Sequence, residues 1–208
     1  RDSMTWTKKS AGSSTHRDSD YPQVSVPRMP RPPESAYGGA VTSRDSHRSA
    51  VYAAEEQWAH QLARGGAIDF FGSRLQIPVE RRFADIASVQ RYVDDVLGLI
   101  GVVTQWPGVS PVRVRERSGS GRAHYSAGVI ALPLTGIGAE RWAARESVVL
   151  HEITHHLVAH AHPTAAAHGP HFCAAMVRLV EISLGVEAAL LLRAAFDGCG
   201  VGVAEGVR

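Results

Sequence analysis

Apolar positions recur with helical spacing from Val51 onward. Ala54, Trp58 and Leu62 continue the pattern and Gly65-Gly66 stops it, which predicts a first helix. Leu75, Ile77 and Val79 alternate with Gln76 and Glu80 at the two-residue period of a short strand, and Pro78 suits a sheet edge. Ile86, Val89, Val93, Val96 and Leu97 share one side of a helix predicted over 85–100. Val112 and Val114 alternate with Arg113, Arg115 and Arg117, and Ser118-Gly119-Ser120-Gly121 is turn chemistry. That pattern predicts a hairpin returning through Tyr125, with the arginine row on its wet face. A further strand, Val129-Ile130-Ala131-Leu132, precedes a glycine-containing loop. Trp142, Val149, Leu150, Ile153 and Leu157 then form the stripe of a long helix, and Phe172, Met176, Leu179 and Val180 that of another. The fold class expected is α+β: a small antiparallel sheet packed on helices, with a central histidine-bearing helix beneath the sheet edge.

Composition sets the limits of this domain. Residues 1–48 are rich in Ser, Pro, Arg and Gly without a sustained period, so they are expected to be a disordered tail ahead of a domain over 49–208. With 44% hydrophobic and 20% charged residues the chain suits a soluble globular domain. A net charge of +2 is too slight to argue for nucleic-acid binding. No apolar run reaches the roughly 20 residues of a spanning helix, and no apolar leader block is seen, so no membrane partner and a cytoplasmic location are expected. Cys173 and Cys199 lack the paired spacing of a zinc ribbon or a disulfide framework, and Cys173 reads as a buried thiol.

Seven of the eleven histidines lie between His151 and His171. Within them, His151-Glu152-Ile153-Thr154-His155 is an H-E-x-x-H motif. On a helix, residues four apart differ by about 40 degrees and one turn, so both imidazoles can face one ion. Glu152 projects to the side, where its carboxylate can reach a water on the metal without being a ligand. A catalytic zinc takes three protein ligands and keeps a position for water, so a third donor is needed. His160 falls on the opposite side of the helix from His151. His162 returns to the ligand face, yet it stands about 10 Å of helix rise beyond His155. Pro163 lets the chain turn back. His168 follows a linker of small residues, with Gly169 to turn and Pro170 to open a helix. His168 is therefore the preferred third ligand and His171, one turn on, the reserve. Glu181 stands as a ligand, a partner of His156 or an exposed helix residue, while His156 reads as a packing residue behind the ligands. The extended form H-E-x-x-H-x-x-G-x-x-H is excluded, because Val158 and Ala161 occupy its Gly and third His positions.

His151-Glu152-Ile153-Thr154-His155 followed by His168-Gly169-Pro170-His171-Phe172 resembles the SprT-like zincin pattern, H-E-x-x-H and then H-G-x-x-F. It is also similar to a group of small actinobacterial metallohydrolases. The likeness is specific over residues 147–180 and loose elsewhere. It implies a compact zincin fold, Zn2+ held by His151, His155 and His168, and Glu152 as catalytic base. SprT-like proteins that act on DNA-bound proteins often add a zinc ribbon or a basic segment. This chain has neither, so a peptide or protein substrate is expected and a nucleic-acid partner is not.

The expected function is thus a zinc-dependent metallopeptidase. Zinc lowers the pKa of a bound water from about 15.7 towards about 7, and Glu152 takes its proton and passes it to the leaving amine. Tyr125 or His171 is a candidate second donor to the oxyanion. The strand Val129–Leu132 is a candidate open edge on which an extended peptide adds. Two alternatives keep the metal: a hydrolase of non-peptide amides or esters, and a zinc-stabilised binding protein without catalysis.

Overall fold

A computed structural model describes residue 45 and residues 47–118, 122–134 and 142–204. The expected disordered tail lies outside the described residues except for Asp45, His47 and Arg48. Helix α1 spans Arg48–Arg64 and buries Val51, Ala54, Trp58, Ala59 and Leu62, the stripe read from the sequence. Its C-cap is Gly65, at φ 58°. A short hairpin follows, β1 (Gly66–Phe70) pairing antiparallel with β2 (Ser73–Ile77). Phe71 and Gly72 both take positive φ in its two-residue turn, which matches the twist of the flanking strands. Sequence reading missed β1, because Gly65-Gly66 looked like a stop where Gly66 begins a strand. Pro78 stands just past β2 instead of at a strand edge.

Helix α2 covers Ile86–Leu97 and buries Val89, Val93 and Val96 as expected. Asp85 caps it: its carboxylate accepts from the Ser88 amide at 2.7 Å, and the Ser88 hydroxyl accepts from the Asp85 amide at 3.2 Å. The helix expected over 85–100 ends early, at Gly98, and a separate helix α3 occupies Ile100–Gln105. Asp85→Ala is expected to lower stability, read as a lower urea midpoint at unchanged slope.

The main sheet corrects two expectations. Strands β3 (Arg113–Glu116), β4 (His124–Ser126) and β5 (Val129–Leu132) lie in the order β3-β5-β4. The expected β3–β4 hairpin is absent, and β5 sits between them, parallel to β3 and antiparallel to β4. The sheet is therefore mixed, not antiparallel. The physical reason lies in β5, whose Ile130, Ala131 and Leu132 are all buried, so it takes the central position where both flanks are covered. The local hairpin is β4–β5, closed by Ala127 and Gly128 at positive φ.

Three longer helices complete the domain: α4 (Glu146–Ala161), α5 (Pro170–Leu184) and α6 (Val186–Gly198). Among the described residues there are six α-helices and two small sheets, an α+β arrangement. The helices pack in series, α1 on α6, α6 on α5 and α5 on α4. The Trp58 indole N–H donates to the Ala188 carbonyl at 3.0 Å and fastens the first of these contacts. At the start of α4 the buried Glu146 carboxylate accepts from the Arg81 amide at 2.9 Å and pairs with its guanidinium at 3.3 Å. Buried Glu80 accepts from the Ser147 amide at 3.2 Å and from the Ser147 hydroxyl. Both acids suit the positive end of the helix and fix its position. No helix among the described residues is long and apolar enough to cross a membrane.

Candidate metal centre

Helix α4 carries His151 and His155 one turn apart on a helix buried over most of its surface. It ends at His162, whose N–H bonds Val158 O, and two tight turns follow, Ala165 N–H to His162 O and Gly169 N–H to Ala166 O. A Cβ on Gly169 would come within 3.2 Å of the Ala166 Cβ, so the absence of a side chain lets the loop close. Pro170 then opens α5. The reversal returns His168 to the two helical imidazoles. His155 Nε2 lies 3.0 Å and His168 Nε2 3.4 Å from His151 Nε2. One candidate ligand atom from each of the three residues falls within 4.8 Å of the others. The structure thus brings together all three side chains preferred as ligands from the sequence.

Two carboxylates stand behind this cluster. Glu55 of α1 holds His151 Nδ1 at 2.8 and 2.9 Å, and Asp45 holds His168 Nδ1 at 2.6 Å. A carboxylate accepts, so each Nδ1 carries the proton, and in the neutral ring Nε2 of His151 and of His168 is left to accept. These two acceptors face each other at 3.4 Å. At most one N–H···N bond, from His155, can relieve their repulsion, whereas a cation among them satisfies all three. The residues fit a divalent ion of the kind imidazole suits, and carboxylate–imidazole pairing orients such ligands and raises their basicity. Phe172 of α5 lies against all three rings, with centroids 4.7–5.1 Å away, and Tyr52 of α1 stacks on His151 at 5.5 Å.

Electrostatics separate the three imidazoles. Burial works against a charge on His151, but the Glu55 carboxylate outweighs it, so His151 titrates above its ordinary value. Burial and the neighbouring imidazoles push His155 down to about 2. Burial also lowers His168, against the pull of Asp45. Glu152 is 3% exposed, and its Oε2 has no hydrogen-bond partner among the described residues. Burial raises its carboxyl to about 7, His151 and the Tyr125 backbone amide acting the other way. Glu152 and the three imidazoles line one cleft of about 410 Å³.

The remaining candidates fall elsewhere. His171 is exposed and stacks on His162 at 4.2 Å, so the reserve ligand does not join the cluster. His160 donates through Nε2 to the Pro107 carbonyl at 3.1 Å. Glu181 is held by Arg178 at 2.8 Å, so it is neither a ligand nor a partner of His156. His156 donates through Nε2 to the Ser110 carbonyl at 2.8 Å, which leaves Nδ1 to accept from the Tyr125 hydroxyl at 3.1 Å. That hydroxyl also accepts from the Gly128 amide at 3.1 Å, so Tyr125 is engaged as a strut and is not a free oxyanion donor. Cys173 is fully buried, its thiol pushed up to about 12 by burial. Strand β5 is flanked on both sides and offers no open edge. Within the described sheet, β3 and β4 are the outer strands, and β4 turns the Tyr125 amide towards Glu152.

Glu55, Asp45 and Tyr52 were missed from the sequence. Glu55 and Tyr52 share a face of α1 at a spacing of three, outside its apolar stripe, which reads as an ordinary wet face. Asp45 fell in the stretch assigned to the tail. Removing the charge behind a candidate ligand, as in Glu55→Gln, is expected to weaken binding of an added divalent ion about 10–100-fold in a chelator competition. Neither a protein-family model nor a curated protein nor a solved structure matches this chain, so the chemistry of the site rests on its own residues.

Proposed function

We propose that the chain is a zinc-dependent hydrolase, a metallopeptidase acting on peptide bonds. One observation carries this reading: three imidazole Nε2 atoms converge beside a buried carboxylate, that of Glu152, whose second oxygen has no partner among the described residues. The helix-borne H-E-x-x-H beside a short sheet supports a zincin-like arrangement. His151, His155 and His168 would hold the ion. When bound, zinc would act as a Lewis acid that polarises a carbonyl and acidifies a water.

The chain's own residues supply the rest. Glu152 lies buried beside the cluster in the wall of the cleft, where its carboxylate can take a proton from water and return it to a leaving amine. Glu55 and Asp45 hold the tautomers of two ligands, and Phe172 and Tyr52 limit water around them. The outer edge of β4 is the strand edge beside Glu152, on which an extended peptide can align its backbone. A panel of quenched peptide, amide and ester substrates, assayed with the zinc-loaded chain, tests the proposal. Peptide cleavage that stops on chelation supports it; cleavage of esters alone, or of nothing, refutes the peptidase reading.

A further inference from the structure

Among the described residues, two cations beside the cleft have no counter-ion. Arg48, which lines the cleft, sets its guanidinium carbon 5.5 Å from the centre of the Tyr52 ring. Arg122, next to the cleft-lining Ala123, approaches the same ring at 5.5 Å. Tyr52 in turn lies on the ligand rings, 5.5 Å from His151 and 5.2 Å from His168 between centroids. Both arginines are exposed, and among the described residues neither has a carboxylate within ion-pair distance. The neighbouring acids Glu55 and Asp45 are hydrogen-bonded to His151 and His168, Asp45 keeping one oxygen without a partner among the described residues. These arginines do not help to hold a metal. The Arg48 charge works against protonation of His151 and His155, and by the same sign works against a divalent ion among them.

Unpaired guanidinium groups beside a reaction centre suit a substrate that brings its own negative charge. The planar fork of arginine matches a carboxylate with two parallel hydrogen bonds, and a cleft lined by one sign of charge concentrates such ligands. Glu152 and Glu55 stand close by, and their charge disfavours a doubly negative phosphate more than a singly charged carboxylate. Resting on the hydrolase reading above, we propose that Arg48 and Arg122 form a carboxylate subsite beside the histidine cluster, and that the substrate is a peptide with an acidic side chain or a free chain terminus placed there.

The test uses the full zinc-loaded chain carrying Glu152→Gln, which leaves peptides intact during titration calorimetry at low salt. Four probes are titrated: acetylated and amidated Ala-Ala-Glu-Ala-Ala, its Gln twin, and acetylated penta-alanine with a free or an amidated terminus. At least one charged peptide is expected to bind about 10-fold tighter than its neutral twin, and which pair shows the preference identifies the source of the carboxylate. Arg48→Gln and Arg122→Gln should each reduce that preference to about 3-fold or less, with Arg48→Lys keeping part of it. Zinc affinity should not fall in the Gln variants, since a fall would mark the arginines as supports of the metal site. Equal binding of charged and neutral twins, a preference unmoved by both Gln variants, or no binding of any probe overturns the subsite. Turnover is measured separately with Glu152 in place. Acid-selective, arginine-dependent binding without turnover would refute the hydrolase and leave the subsite; turnover indifferent to the peptide's charge would do the reverse.

Discussion

Replacing Glu152 by Gln is expected to lower peptide hydrolysis by about 1,000-fold while the chain keeps its metal and its fold. Gln has nearly the same shape, so the packing of α4 is preserved, and its amide oxygen can still accept from the Tyr125 backbone amide that lies on Glu152. What the substitution removes is the ability to take and return a proton. The other acids nearby are bound elsewhere, Glu55 to His151 Nδ1, Asp45 through one oxygen to His168 Nδ1, and Glu181 to Arg178. Burial of the carboxylate also costs stability whenever it is charged, so the Gln variant should melt no lower than the parent. Turnover within about 10-fold of the parent, with zinc retained, would remove Glu152 from the reaction.

Stripping the metal is expected to destabilise the fold by about 4 kcal/mol, for a parent measured at free zinc near 1,000 times its dissociation constant. For a domain of this size the melting temperature should fall on the order of 10 °C. Mass action sets the magnitude, and geometry explains the coupling. The ligands come from α4 and from the turn before α5, and two of them are tied to carboxylates on α1 and just ahead of it. A cation therefore ties α4 to the turn that follows it and, through the two carboxylates, to the α1 segment far earlier in the chain. Without it, the buried Nε2 atoms of His151 and His168 face each other across 3.4 Å. Thermal unfolding followed by circular dichroism, with and without a chelator, measures the difference. A melting temperature unmoved by chelation would mean that no ion is held by the folded chain.

Helix-borne chemistry was legible because its geometry is local. His151 and His155 face one way as a consequence of helical pitch alone, and Pro163, Gly169 and Pro170 mark the reversal that returns His168. Strand order was not legible, since it depends on pairings between residues far apart. Val112–Arg117 and Tyr125 looked like neighbouring strands joined by glycines, yet the apolar Ile130–Leu132 segment takes the place between them because it gains most from burial on both flanks. The helix expected to run on to Ile100 ended at Gly98, and Ile100, which is exposed, opens the separate helix α3. The carboxylates behind the ligands were invisible for another reason. An acid on the polar side of a helix looks the same in sequence whether it faces water or a histidine, and only the packing of α1 reveals that Glu55 faces His151.

Zinc stoichiometry of the folded chain, measured by native mass spectrometry on the parent and on His168→Ala, tests the central claim most directly. One zinc per parent chain, lost from a variant that keeps its helical circular dichroism spectrum, is the predicted result. A parent that binds no zinc, or a His168→Ala variant that binds it as tightly as the parent, would contradict the three-imidazole site.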